Sequence, residues 1–550
     1  MRKWINSGSP WVWLTAASVS ISIIMVVGLL LLIAARGLGH FWPADVESFT
    51  YQNDNGQIVQ VAGEIRDSEE VPAARITDSG IELDSDAEWI TRYLIKTGNR
   101  DLYGIDFRWL IAPRIQQWSQ ADDMMVIERR EWGNFYGFLK QVKRDGEVIA
   151  EGPGSWDTLQ QQIEHTGETF AAIRDIEKGD IGAINYAMEQ LRLERRGLEL
   201  EGEDSPEALA RLEREKEKLQ AEYEHLQDDL QALYRELNRA SLTAATVDGR
   251  TVEIPIAKTV QAYRPNSMSV LDKVGFYIGK LWEFVSEEPR EANTEGGIFP
   301  AIFGTVMMVM IMSVLVTPFG VIAAIYLREY AKQGPIIRMV RIAVNNLAGV
   351  PSIVYGVFGL GFFVYFLGGN IDQLFFAEAA PAPTFGTPGL LWASITLALL
   401  TVPVVIVATE EGLSRIPKSI REGSLALGAT KAETLWRTII PMTSPAIMTG
   451  LILAVARAAG EVAPLMLVGV VKLAPTLPLD GNFPFLHLDR KFMHLGFHIY
   501  DVGFQSPNVE AARPLVYATA LLLVLVIIVL NLAAIAIRNR LREKYKSLEQ

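Results

Sequence analysis

Six long runs of apolar residues stand out along the chain, and each is long enough to cross a bilayer as a helix. A helix needs about 20 apolar residues to cross roughly 30 Å of hydrocarbon. The runs predict transmembrane spans one to six over residues 14–35, 298–326, 347–367, 390–409, 447–471 and 514–537. The first run is longer than the core of a secretory signal, so we interpret it as a retained anchor, with a cleaved signal as the alternative.

The residues between the first two spans follow a different pattern, which combines short strand-like runs with one long seam. Strand-like runs follow turn signals at residues 57–62, 147–150 and 251–256. From Asp180 to Ala240, apolar residues recur at spacings of three and four, which predicts a coiled-coil-like helix. The seam contains Leu209, Leu212, Lys216, Leu219, Tyr223, Leu226, Leu230, Leu233 and Leu237. The preceding stretch Ile184–Leu200 is a candidate antiparallel partner for this helix. The two helices then form a hairpin that packs on itself. The alternative is a docking arm for another subunit or a binding protein.

Most of the acidic residues lie in this same segment. Residues 40–297 hold 50 of the 64 acidic and 29 of the 51 basic side chains, a net charge of −21, whereas the remainder carries +8. This division predicts an acidic domain inserted into a membrane protein. The acidity excludes a nucleic-acid partner, because a polyanion would be repelled. The sequence contains no cysteine, which excludes disulfides and thiolate sites.

Basic residues cluster in the short segments that flank the spans, and they indicate the orientation of the chain. Lys and Arg resist translocation, so these segments face the cytoplasm. The four clusters are Arg2 and Lys3; Arg328, Lys332, Arg338 and Arg341; Arg415, Lys418, Arg421, Lys431 and Arg437; and Arg538, Arg540, Arg542, Lys544 and Lys546. Six spans place all four clusters on one side. Both termini are therefore expected in the cytoplasm, with the large domain outside.

The predicted fold class is mainly α, a polytopic membrane protein with six transmembrane helices and an α+β extracytoplasmic domain. Residues 1–39 are expected to hold the cytoplasmic N-terminus and the first span, and residues 40–296 the acidic extracytoplasmic domain with the hairpin at about 180–240. Residues 297–538 are expected to form a five-helix core that contains the cytoplasmic loop 410–441. Residues 539–550 form a basic cytoplasmic tail.

The loop between spans four and five predicts two short helices that meet at Gly428. Ser419 with Glu422, and Thr430 with Glu433, have the spacing of capping boxes at the two helix starts. Pro441 is expected to end the second helix before span five. A compact amphipathic helical pair is a structure that a soluble partner can grip, and a loop lying on the lipid headgroups is the alternative.

At these residues the sequence resembles the EAA loop of ABC importer permeases. The resemblance rests on Glu422, Gly423 and Ser424, then Gly428, then the stretch that ends at Pro441. It implies that this loop couples the permease to an ATPase subunit. The coupling residues are then Glu422, Gly423, Ser424, Leu427, Gly428 and Pro441. Gly423 and Ser424 replace the two alanines of the family pattern, so the coupling role is carried over without a particular set of contacts.

The resemblance covers about residues 295–475, and the stretches Asn345–Gly361 and Ala456–Leu465 are similar to the phosphate-specific permeases. It implies a type I importer permease that moves phosphate across the bacterial inner membrane without being an enzyme or holding a cofactor. The implied partners are a homologous permease, two ATP-binding subunits and an extracytoplasmic phosphate-binding protein. The alternatives are a permease for another oxyanion or small solute, and a membrane-anchored coiled-coil interaction protein.

Arg457 and Glu461 form a candidate charge pair near the middle of predicted span five. Ionisable groups in a membrane usually face a cavity or each other, and a spacing of four places both on one helix face. One interpretation is that Arg457 offers a forked cation to a passing oxyanion while Glu461 holds it when the path is empty. A purely structural pair is the alternative. Some relatives carry another arginine where this chain has Val407, so an added cation is expected from a partner subunit.

Motifs of nucleotide and metal chemistry are missing from the sequence. The phosphate loop GxxxxGK[ST] is absent, which predicts that ATP binds to a partner. Three histidines, at 487, 494 and 498, fall in one segment before span six. We interpret this segment as an external loop at the membrane surface, with a metal site as the alternative.

Overall fold

The computed structural model describes residues 9–53, 55–78, 80–81, 87–290, 293–506 and 509–545. The basic residues Arg2, Lys3 and Lys546 lie outside the described residues. The chain divides into two compact units. The membrane unit consists of Met1–His40 with Ile298–Gln550, and the inserted unit consists of Phe41–Gly297.

Among the described residues, the membrane unit contains six helices that are long and apolar enough to cross a bilayer, which confirms the predicted number of spans. Spans one to six are Trp11–Gly39, Phe299–Tyr330, Ser352–Phe375, Leu390–Arg415, Lys431–Gly460 and Ala512–Glu543. Shorter helices connect them at Pro335–Leu347, Lys418–Ala426, Leu465–Val468 and Leu495–Tyr500. Span four has the largest buried share of its apolar window, 67%, and so lies at the centre of this unit.

Small residues allow the central spans to approach one another closely. A β-carbon on Gly412 of span four would lie 2.4 Å from that of Ala446 in span five. A β-carbon on Gly450 would lie 2.8 Å from that of Ala408. Side chains larger than hydrogen would push these helices apart, so the glycines fix the distance between spans four and five.

Spans three and five differ from the predicted bounds. Span three begins at Ser352 instead of residue 347, and residues Gly359–Gly368 form a π-helical stretch within it. Span five begins at Lys431 instead of residue 447 and ends at Gly460 instead of residue 471. The apolar run continues beyond Gly460, but Glu461 has extended backbone angles (φ −80°, ψ 132°) that end the helix.

The inserted unit is built on two antiparallel sheets. Its strands are β1 Val46–Gln52, β2 Ile58–Pro72, β3 Trp89–Lys96, β4 Phe107–Ile111, β5 Ile115–Gln120, β6 Met125–Arg129, β7 Phe135–Arg144, β8 Glu147–Glu151, β9 Ala240–Ala245, β10 Thr251–Pro255 and β11 Thr259–Tyr263. The first sheet has the order β4-β3-β2-β1-β5. The second has the order β10-β9-β7-β6-β11, with β8 also paired to β7. A two-stranded pair, β12 Pro289–Arg290 and β13 Glu295–Gly296, lies near its end. The three predicted strands correspond to β2, β8 and β10, which confirms them.

The predicted helical hairpin is present between β8 and β9. Its first arm is a continuous helix from Ser155–Asp175 through a π turn to Ile181–Glu201, and its second is Pro206–Leu237. Gly202 ends the first arm at φ 72°, and the Ser205 side chain accepts a hydrogen bond from Ala208 N (3.2 Å) at the start of the second. The buried positions of the second arm, Leu212, Leu230 and Leu237, belong to the predicted seam.

The helix over residues 155–180 was not predicted from the sequence. Its buried side chains include Leu159 and Ile163, which pack in the same apolar core as Leu242 and Ile254 of the second sheet. This contact stabilises the helix, because tertiary packing of an apolar face supplies most helical stability in proteins.

Candidate functional site

The chain between spans four and five and the first turns of span five form two helical segments separated by a glycine turn. We name residues 416–441, which include the start of span five, the interspan loop. The first helix is Lys418–Ala426. Gly428 follows with φ 88°, a left-handed conformation that glycine adopts without steric cost. Thr430 then begins the second helix with the predicted capping box, because its hydroxyl accepts from Glu433 N (3.2 Å) and the Glu433 carboxylate accepts from Thr430 N (2.9 Å).

Two predictions about helix ends in the interspan loop are wrong. Pro417 occupies the N-cap of the first helix, so Ser419 lies in the first turn instead of capping it. Pro441 does not end the second helix, since residues Lys431–Gly460 form one continuous span. A π turn at Leu435–Ile439 is separated from Pro441 only by Ile440. The wider turn accommodates the proline, which lacks an N–H and would clash in a regular α-helix.

Basic side chains tie the interspan loop to the ends of spans two and four. Arg421 donates hydrogen bonds to the carbonyl oxygens of Leu413 (2.6 Å) and Ile416 (3.0 Å), and it pairs with Glu329 at 3.1 Å. Lys431 donates to the carbonyl of Glu329, and its ammonium lies 4.6 Å from the ring centre of Tyr330. These contacts fix the loop relative to the membrane helices. From the sequence, both basic residues indicate orientation and also suit a loop on the lipid headgroups, but neither contact is predicted.

Four of the six predicted coupling residues lie on the outer surface of the interspan loop, whereas Ser424 and Pro441 are partly buried. Glu422, Gly423 and Gly428 are exposed, and the Leu427 side chain is 91% exposed. Ser424 is partly buried and shares a 2.9 Å hydrogen bond with Thr434, so it joins the two helices. The loop therefore exposes one large apolar side chain, Leu427, and one acidic side chain, Glu422.

Arg457 and Glu461 form the expected pair, with Nε and Oε1 3.6 Å apart. The prediction that they lie near the middle of span five is wrong. Arg457 lies three residues before the helix end at Gly460, and Glu461 lies just beyond it. One Arg457 nitrogen also lies 3.5 Å from the carbonyl oxygen of Ala348, next to span three. The two side chains are 33% and 21% exposed, so Arg457 keeps an accessible face.

A second arginine lies beside Val407. Val407 and Arg341 line a cavity of about 130 Å³ in the membrane unit. Arg341 pairs with Glu410 at 3.2 Å and donates to the Gln333 side chain (2.8 Å) and the Leu327 carbonyl (3.0 Å). The guanidinium of Arg341 thus supplies a cation near Val407 from this chain, but its N–H donors are already bonded to Glu410, Gln333 and Leu327.

The side chains of the three histidines at 487, 494 and 498 are all buried within the protein. His487 pairs with Asp480 (2.9 Å), His494 accepts from Gly496 N (3.1 Å), and His498 lies 3.4 Å from the Thr519 hydroxyl. Burial lowers the pKa of His494 to about 3. Within the described ranges, no three His, Asp or Glu side chains form a group that could hold a metal ion.

Six spans, and a helical loop tied to two of them, define a polytopic membrane protein of the transport class. Residues 316–546 match the family described as binding-protein-dependent transport system inner membrane component. The chain is similar to the phosphate transport system permease protein PstA of Mycobacterium leprae, with 34% identity over 225 residues, 40% of this chain and 68% of that protein. Identity to PstA 1 of Mycobacterium tuberculosis (strain H37Rv) is 36% over 247 residues, 44% of this chain and 70% of that protein. Identity to PstA of Yersinia pestis is 34% over 259 residues, 46% of this chain and 76% of that protein.

The chain belongs to the family of phosphate transport system permeases, within the binding-protein-dependent inner membrane components. It is a transport component and not itself an enzyme.

Proposed function

We propose that this chain is a membrane subunit of an ATP-driven importer and carries inorganic phosphate into the cytoplasm. Its partners are a homologous permease, two ATP-hydrolysing subunits and an external phosphate-binding protein. The relatives' names support the solute, since PstA proteins are phosphate transport permeases. The observation that carries the proposal is the Arg457–Glu461 pair, a partly exposed guanidinium held loosely at 3.6 Å by one carboxylate.

Arg457 is suited to contact a tetrahedral oxyanion as it passes. A guanidinium presents several donors in a fixed fork that matches two phosphate oxygens. Glu461 neutralises the cation between transport events, and the long contact leaves the guanidinium free to exchange partners. Because the pair lies at the C-terminal end of span five, a shift of that helix would change the groups that surround the Arg457 side chain.

The interspan loop is the proposed docking site for an ATPase subunit. Leu427 and Glu422 project from the loop, while Arg421 and Lys431 fasten it to spans two and four. A displacement of the docked partner would therefore move the attached helices as a group. This role places residues 410–441, both termini and the basic clusters in the cytoplasm, and the inserted unit outside.

The test is uptake of radiolabelled phosphate by cells whose own copy is replaced by variants. We expect Arg457→Gln to abolish uptake with unchanged membrane assembly, and Arg457→Lys to retain part of it because the charge stays but the fork is lost. Arg338→Gln is the matched control, since it removes an exposed arginine away from the pair. Normal uptake by Arg457→Gln would reject solute contact.

Glu461→Gln separates solute contact from a purely structural pair. If Arg457 meets the solute, freeing it from Glu461 leaves uptake measurable. A structural pair predicts the same loss from either substitution, because each one breaks the same contact. Competition by unlabelled sulfate, measured in the same cells, distinguishes a phosphate permease from one for another oxyanion.

A further inference from the structure

The helix Val270–Ser286 of the inserted unit presents an apolar stripe on its surface. Its start is fixed by a capping box between Ser269 and Asp272. The stripe consists of Val270 (72% exposed), Leu271 (82%), Val274 (39%), Ile278 (61%) and Trp282 (71%). Residues 270, 274, 278 and 282 recur at intervals of four, so these side chains lie along one face of the helix.

The opposite face of this helix is fixed to the inserted unit. Lys273 pairs with Asp45, and Lys280 pairs with Glu128 and, at 2.6 Å, with Glu283. The helix's two lysines are therefore turned toward the unit and neutralised there. Because the opposite face of the helix is fixed to the inserted unit, the apolar stripe necessarily faces outward.

Contacts within the inserted unit place this helix beside both points where the chain continues into the membrane. Phe41, the first residue of the unit, packs its ring 4.9 Å from that of Phe284, and Trp42 lies 5.9 Å from Tyr277. Gly297, the last residue, donates a hydrogen bond to the carbonyl of Glu288 (3.1 Å), two residues after the helix ends.

The membrane spans are adjacent in sequence to both of these anchor points. Span one ends at Gly39 and span two begins at Phe299. Two residues of extended chain cover only about 7 Å. The helix therefore belongs to the membrane-proximal end of the inserted unit, and bilayer lipid is the apolar phase within reach of its stripe.

We propose that the helix Val270–Ser286 lies in the membrane interface, with its apolar stripe inserted among the lipid headgroups and upper acyl chains. Amphipathic helices bind this region through their apolar face, and tryptophans such as Trp282 favour it. Because both lysines face the unit, insertion depends on apolar burial and not on anionic lipid. The helix thereby anchors to lipid the part of the chain that connects to spans one and two.

The test uses the full chain in lipid nanodiscs, and the absence of native cysteines allows single spin labels. Labels at Ile278→Cys and Leu271→Cys are compared with Val148→Cys, a 48% exposed position in β8. We expect both stripe labels to be relaxed by lipid-soluble oxygen more than by a water-soluble nickel chelate, at depths of roughly 5–10 Å. The label at 148 should show the opposite preference. Neutral and anionic lipids should give the same depths.

Two results would overturn the proposal. One is a water-like accessibility at both stripe positions, equal to that at residue 148. The other is protection of the stripe only after the external binding protein or the second permease is added, which would show a protein interface. Because both positions are exposed in the fold, labelling them leaves the packing of the helix unchanged.

Discussion

Replacing Leu427 by alanine is the most direct perturbation of the proposed ATPase docking site. The side chain is 91% exposed, so its truncation has little effect on folding of this chain. If a partner buries it, removing three carbon atoms at about 0.8 kcal/mol each loses about 2 kcal/mol of contact energy. At about 1.4 kcal/mol per factor of ten, the dissociation constant rises about 30-fold.

The assay is titration of purified ATPase subunit against the chain in nanodiscs, followed by fluorescence anisotropy of the labelled ATPase. Leu200→Ala is the matched control, because it makes the same truncation at a 52% exposed leucine of the hairpin. We expect the control to bind normally. An unchanged affinity for Leu427→Ala, or an equal loss in the control, would refute the docking role.

Three further predictions concern the turn, the topology and the acid stability of the protein. Gly428→Trp should uncouple ATP hydrolysis from uptake. Gly428→Asn should have a smaller effect on coupling, because asparagine tolerates the left-handed φ of 88° at this position. Equal effects of the two substitutions would argue against a conformational requirement for glycine. A membrane-impermeant maleimide should label Val148→Cys but not Lys418→Cys in intact cells, and labelling at 418 would reverse the proposed orientation. The pKa of Glu128 is about 2 although burial alone would raise it, because Lys280 and Arg290 lie against it. Stability from this pairing is complete above the ordinary value of 4.5 and is lost as the pH falls toward 2, so Glu128→Gln should flatten the acid-unfolding curve of the inserted unit.

The spans could be predicted because long apolar runs report directly on the cost of burying polar groups in lipid. Their ends could not, because competing local effects decide them. Pro441 signals a helix end in sequence, yet the π turn at Leu435–Ile439 accommodates it and the helix continues. At the other end, Glu461 stops the helix inside an apolar run.

The candidate site divides in the same way between local and long-range features. The Thr430 capping box and the Gly428 turn are local, and the sequence alone predicts them. The contacts of Arg421 join residues separated by 92 positions, down to Glu329, and no spacing rule reveals them. Basic residues near a membrane therefore have two meanings, orientation and attachment, and only the structure separates them.

The continuity of span five connects the two parts of the proposed mechanism. Lys431, next to the capped turn, and Arg457, at the charge pair, belong to one helix. They are 26 residues apart, and a helix rises about 1.5 Å per residue, so the two residues are separated by about 40 Å along the helix axis. A helix without a break transmits an axial or rotational displacement along its length. We therefore expect movement of the interspan loop to reach Arg457 through this helix, with part of it taken up by bending at the π turn before Pro441.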